Sequence, residues 1–192
     1  AEGAEKLIVD LRGNGGGIME AATMIADQFL EEGQLIVYTE GRSRPRENDY
    51  ATSRGMLKED KVVVLMDESS ASASEILAGA IQDNDRGLVI GRRSFGKGLV
   101  QEEMRFSDGS ALRLTVARYY TPTGRSIQRS YENGKEDYYH EFAERWMRGE
   151  FEYRDSMKFD DSQKFYTPGG KIVYGGGGIM PDVFVPVDTS GS

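Results

Sequence analysis

Ser72, in the small-residue run ESSASASE at 68–75, and Lys97, between two glycines in SFGKG at 94–98, are the residues of this chain best suited to do chemistry. A serine hydroxyl becomes a nucleophile once a base takes its proton, and a neutral lysine amine is such a base without help from histidine. The chain almost forces that choice, because its only histidine is His140 and it has no cysteine. Thiolate catalysis, disulfides and cysteine-ligated zinc are excluded.

The serine turn has two readings. A serine followed three residues later by glutamate, as Ser72 is by Glu75, fits the capping box that opens a helix. A helix N-terminus also exposes backbone N–H groups beside the hydroxyl, ready to stabilise an oxyanion. The readings are compatible at neighbouring positions, and Ser69, Ser70, Ser72 and Ser74 all compete for the nucleophile's role. Lys97 reads as a solvated loop lysine or as a base whose ammonium is desolvated by Phe95, with Gly96 and Gly98 freeing the backbone.

Two glycine-rich segments invite a nucleotide reading. GRRSFGK, 91–97, matches seven positions of the phosphate-binding loop, but Gly98 replaces the Ser or Thr that ligates magnesium. The residues after it alternate like a strand, so no helix N-terminus faces a phosphate. GNGGG, 13–17, sits between a strand and a helix, yet the dinucleotide pattern fails at Ile18. A close-approach backbone loop is the better reading. His140, in a charged and aromatic stretch, reads as structural or solvated, and no metal site emerges.

The elements that must position these residues alternate. KLIVDLR, 6–12, reads as a buried strand, followed by a helical pattern from Ile18 to Phe29 with Gly33 at the C-cap. QLIVYTE, 34–40, is a second strand, and the polar segment 41–60 has no clear period and borders a groove as a surface excursion. KVVVLMD, 61–67, reads as a strand buried on both faces of a mainly parallel sheet, and a crossover helix with a narrow apolar face follows. LVIG is the next strand, and VQEEMRF and ALRLTVARYY flank Ser-Asp-Gly as a hairpin. A further helix is predicted over 136–148, and KIVY and IMPDVFVPV close the chain as a hairpin-like pair. Strands alternating with helices indicate an α/β domain.

At 192 residues one domain is expected, and a net charge of −8 disfavours a nucleic-acid surface. No apolar run reaches the roughly 20 residues that span a bilayer. The opening AEGAEKLIVDLR has no signal-peptide pattern and enters a strand almost at once, which predicts a piece of a longer protein.

LIVDLRGNGGG, SASASEILAGAIQD, LVIGRRSFGKGLVQ, DGSALRLTVARYYTPTGRSIQ and GGIMPDV, in this order, resemble the carboxyl-terminal processing peptidases, or tail-specific proteases. The match covers about Lys6 to Gln128 and Gly177 to Val185. The resemblance implies a ClpP/crotonase-like α/β core of mainly parallel strands with crossover helices and β-hairpins. It implies a cofactor-free serine endopeptidase with Ser72 as nucleophile, Lys97 as general base and Gln101 orienting the lysine. The backbone N–H of Ala73 and one from Gly16 or Gly17 would form the oxyanion hole, and Glu75 and Asp83 fall on positions with supporting roles in some members. The implied partner is a protein with an unstructured C-terminal tail, in an extracytoplasmic compartment. Homo-oligomerisation is left open. The chain departs from the family in lacking a PDZ domain and in carrying an insertion at about 130–174, within one core domain over 1–192. A catalytically silent peptide-binding module on the same fold is the alternative.

Overall fold

The computed structural model describes residues 3–131, 134–157 and 159–188. Strand β1 (Lys6–Asp10) leads into helix α1 (Met19–Asp27), a hairpin of β2 (Leu35–Gly41) and β3 (Arg44–Tyr50), strand β4 (Lys61–Met66) and helix α2 (Ala73–Asp83). Strand β5 (Leu88–Gly91), the hairpin of β6 (Leu99–Arg105) and β7 (Ala111–Tyr120), helix α3 (Lys135–Met147), strands β8 (Lys164–Tyr166) and β9 (Ile172–Tyr174), and the two-residue β10 (Val183–Phe184) follow. β1, β4, β5 and β10 form a parallel sheet in that order; β3, β2, β7 and β6 form an antiparallel one.

The β-branched run of β4 makes it an interior strand, paired on both sides, with Val62, Val64 and Met66 buried and Val63 and Leu65 half-covered. β1 lies at the edge of that sheet with Ile8 exposed, so the expectation of a buried first strand is corrected: among the described residues only one flank has a neighbour.

α2 is the centre of the molecule. Its apolar positions suggest a narrow buried face, yet every residue from Ala73 to Asp83 is buried. The small side chains Ala73, Ala78, Gly79 and Ala80 let neighbours close in on all sides, and Gly79 faces the Thr121 methyl where a Cβ would sit 2.8 Å from it. The polar residues this traps find partners, as Gln82 does by donating to the Met180 carbonyl at 2.8 Å.

Three boundaries differ from the sequence reading. α1 ends at Asp27, and Gly33 serves a later turn with φ of 86°, because Phe29 and Leu30 leave the helix to enter the core. The segment 41–60 contains β3, exposed at every residue, which pairs with β2 and so needs no hydrophobic alternation. The terminal strands do not form a hairpin: β9 pairs with β8, and β10 extends the parallel sheet beside β5. Between them the glycine run is held open by Gly176 and Gly178 donating to the Ser126 and Ile127 carbonyls.

Candidate active site

The turn between β4 and α2 carries the serines, and a backbone feature separates them. Ser72 has φ of 57° and ψ of −116°. An L residue rarely takes that conformation, which costs of order 1–3 kcal/mol and persists only where surroundings enforce it. Ser70 is fully buried and donates its hydroxyl to the Leu11 carbonyl at 2.7 Å, and Ser74 donates to the Asn14 carbonyl at 3.0 Å. Ser69 is exposed. Ser72 lines a cavity of about 630 Å³ together with Gly17, Ala73, Lys97, Gln101 and Tyr119.

The GNGGG loop buttresses this turn from below. Asn14 accepts the Ala71 N–H at 3.0 Å, and Gly13 donates to Asp67. At Gly16 a Cβ would lie 2.5 Å from the Ala71 carbonyl and 2.8 Å from the Ala73 nitrogen, with φ of 92°, so only glycine fits. The Gly16 N–H is turned onto the Asn14 side chain at 2.9 Å. Gly17, the other oxyanion candidate, faces the cavity with Ala73.

Lys97 reaches the cavity from the irregular loop between β5 and β6. β6 begins directly after it, so the phosphate-loop reading has no helix to stand on. Phe95, expected to desolvate the amine, lies outside the cavity lining and carries the Arg129 guanidinium 4.2 Å over its ring. Gln101 is brought to the cavity by β6, where a bulge between Val100 and Gln101 breaks the register with β7. Its Nε2 donates to Thr115 Oγ1 at 3.4 Å.

Two buried side chains stitch the serine turn to the lysine loop. Glu75 Oε2 accepts the backbone N–H of Ser72 at 2.8 Å and of Lys97 at 2.9 Å, while Oε1 accepts the Ser94 hydroxyl at 2.5 Å and the Gly96 N–H at 2.7 Å. Burial raises its carboxyl above the ordinary range, and the bonds from Ser94, Lys97, Gly96 and Ser72 oppose that rise. Because Ile179 N–H donates to Ser94 Oγ at 2.7 Å, the Ser94 proton points at Glu75, and both carboxylate oxygens are left to accept. Tyr119 does the same for the carbonyls, its hydroxyl lying within reach of Ser72 O at 3.1 Å and of Lys97 O. The capping pattern at 72–75 signalled Glu75 only as a cap; Tyr119 gave no signal beyond its place in an aromatic strand.

Asp83 is not part of this assembly. It sits at the opposite end of α2, about 16 Å from Ser72 at about 1.5 Å per residue, and does not line the cavity. Its carboxylate pairs with Arg125 at 2.6 Å, both side chains fully buried, and accepts the Thr123 hydroxyl at 2.7 Å. Removing one partner of a buried pair strands the other, so Asp83→Ala is expected to cost about 3–5 kcal/mol. Denaturant unfolding measures this, and the turnover of the folded fraction should stay at the wild-type value. His140 lies exposed on α3, and no group of three or more His, Cys, Asp or Glu among the described residues could hold a metal ion.

The sheet layers and the strained serine turn define the class of fold, an α/β domain that presents Ser72 and Lys97 on one cavity. Comparison with known proteins narrows the class. Residues 1–136, most of the chain, match the model of Peptidase family S41, and the chain belongs to that family. It is 47% identical over 122 residues to a carboxy-terminal-processing protease of Bartonella bacilliformis, a match taking in 63% of this chain and 28% of that protein. It is 41% identical over 128 residues to a carboxyl-terminal-processing protease of Picosynechococcus, with 67% and 30% covered. The chain thus spans under a third of the length of these relatives. Among solved structures, a photosystem II D1 C-terminal processing protease superposes with a TM-score of 0.65 at 30% identity, covering 95% of this chain and 35% of that one.

Proposed function

We propose that the intact protein is a serine endopeptidase that cleaves proteins near unstructured C-terminal tails with a Ser72–Lys97 dyad. The observation that carries the reading is the single cavity onto which Ser72, Ala73, Gly17, Lys97 and Gln101 all open. β6, an edge strand of its sheet, supplies Leu99, Val100, Gln101, Glu102 and Glu103 to the same wall. An extended peptide adds to such an edge by main-chain hydrogen bonds, and an unstructured tail can do so without unfolding its protein.

In this reading the neutral Lys97 amine takes the Ser72 proton as Oγ attacks the scissile carbonyl. The N–H groups of Ala73 and Gly17 hold the tetrahedral oxyanion, the Ala73 amide lying at the start of α2 where the helix dipole adds to it. Lys97 then protonates the leaving amine, and a water deprotonated by Lys97 hydrolyses the acyl-enzyme. Gln101 accepts from the Lys97 amine through its carbonyl oxygen, since its Nε2 is directed at Thr115. The compartment proposed with this activity is extracytoplasmic, resting on the family alone, and 130–174 is proposed as an insertion in one core over 1–192. No helix among the described residues is long and apolar enough to cross a membrane.

A folded reporter protein tests the tail preference. With an unstructured C-terminal extension it should be cut within or beside the extension, as read by mass spectrometry; without the extension it should survive. Equal cutting of both would refute the tail preference, and binding of the extension without cutting would favour the silent binding module.

A further inference from the structure

We propose that the segment 130–174 is a positioning element for the lysine loop, acting through Arg145 and Glu150. The loop between Gly91 and Leu99 has no regular secondary structure, so what it touches sets its shape. Arg145, at the end of α3 and fully buried, donates Nη2 to the Arg93 carbonyl at 2.7 Å and Nη1 to the Ser94 carbonyl at 3.1 Å. Its Nε donates to Glu150 Oε1 at 2.9 Å. Glu150, also buried, takes Arg93 in a bidentate grip at 2.6 and 3.0 Å and Arg148 at 3.3 Å.

The charges explain why the loop is part of this network. Three guanidinium groups meet around Glu150, with Glu141 adding one carboxylate 3.6 Å from Arg93. Of the N–H groups left over, those of Arg145 go to the main-chain carbonyls of Arg93 and Ser94, and one of Arg93 goes to that of Gly177. Buried guanidinium groups deprived of these acceptors would be uncompensated. Burial beside Arg93 lowers Arg145 to about 10, which leaves it cationic at neutral pH.

From Ser94 the path to the dyad is unbroken. Its hydroxyl donates to Glu75, and Glu75 holds the N–H groups of both Ser72 and Lys97. A second strap runs alongside: the Arg129 N–H donates to the Gly96 carbonyl at 3.1 Å, and its guanidinium pairs with Glu141 of α3 at 3.2 Å. The end of α3 is itself fixed, because Phe142 and Trp146 pack on the buried Phe151 with ring centroids 5.4 and 5.6 Å apart. The insertion therefore fixes the backbone that presents Lys97 without contributing to the cavity lining.

The proposal rests on the dyad reading, and its test separates the two. In the intact protein, Arg145→Lys keeps the charge but not the rigid fork that reaches two carbonyls and a carboxylate. Displacing a reacting group by about 1 Å costs about 10²-fold in rate. With active sites counted by fluorophosphonate titration, kcat on a tail peptide should fall about 10²-fold, while KM stays within about twofold and the pH midpoint of kcat moves. Glu150→Gln, which leaves Arg145 on the loop carbonyls, should fall less in the same direction and carries the test if Arg145→Lys does not fold. Wild-type kcat and pH profile in either folded variant would overturn the positioning role and leave the dyad standing. A wild-type protein that neither cleaves nor labels at Ser72 would overturn both.

Discussion

Ser72→Ala and Lys97→Ala each lower kcat by about 10⁴–10⁶-fold on an unfolded tail peptide, with little change in KM. The size follows from what each residue would do. Without the Ser72 oxygen no acyl-enzyme forms, and without the Lys97 amine the cavity lining offers only carboxylates, which are weak bases, and an arginine and a tyrosine, residue types that ordinarily carry their proton at neutral pH and cannot take another. Because the two act as one unit, the double variant should be no slower than either single one. Both side chains are only partly buried, so melting temperatures should move little, which separates lost chemistry from lost fold. Lys97→Ala with turnover near wild type would place the base elsewhere.

Glu75→Gln has the next largest effect, and it acts on stability and rate together. The wild-type carboxylate accepts two donors on each oxygen. A carboxamide accepts on its oxygen alone, so its nitrogen would face either the Ser72 and Lys97 N–H groups or the Ser94 hydroxyl and the Gly96 N–H. Two buried donors lose their acceptor at about 1–3 kcal/mol each. A loss of about 2–6 kcal/mol lowers the melting temperature of a chain this size by about 4–24 °C. In the molecules that stay folded, Ser72 and Lys97 are no longer tied through one group, and kcat should fall about 10²-fold. Calorimetry and kinetics on the same preparation check both; unchanged stability would mean that Glu75 caps α2 and does nothing more.

Much of the layout was legible in the sequence because local signals carried it. The continuous β-branched run of β4 and the Ser-Asp-Gly turn of the β6–β7 hairpin are formed by neighbours in the chain. What was not legible depends on distant partners. β3 shows no alternation because both its faces are exposed, and only its pairing with β2 makes it a strand. β9 and β10 look like partners by proximity, but β10 completes a parallel sheet against β5, a pairing no local rule selects. α2 shows one apolar face because its other sides are closed by small residues and satisfied polar ones.

The site divides the same way. Residue type and spacing suggested a serine and a lysine, and the resemblance chose Ser72 from four serines. The backbone gives an independent distinction, since Ser72 alone of the four has a positive φ. Spacing showed Glu75 as a cap, but its bonds to the lysine loop cross 22 residues and follow only from the fold. Tyr119 and the Arg145–Glu150 pair are of the same kind: their partners in the serine turn and the lysine loop lie 22 to 57 residues away in sequence.

The most direct test of the dyad is the site and lysine dependence of covalent labelling by a fluorophosphonate in the intact protein, mapped by peptide mass spectrometry. The expected result is one label per molecule on Ser72, and none when Lys97 is replaced by alanine. Label on Ser69, Ser70 or Ser74, no label on the folded wild type, or labelling of Ser72 that persists undiminished in Lys97→Ala would contradict it.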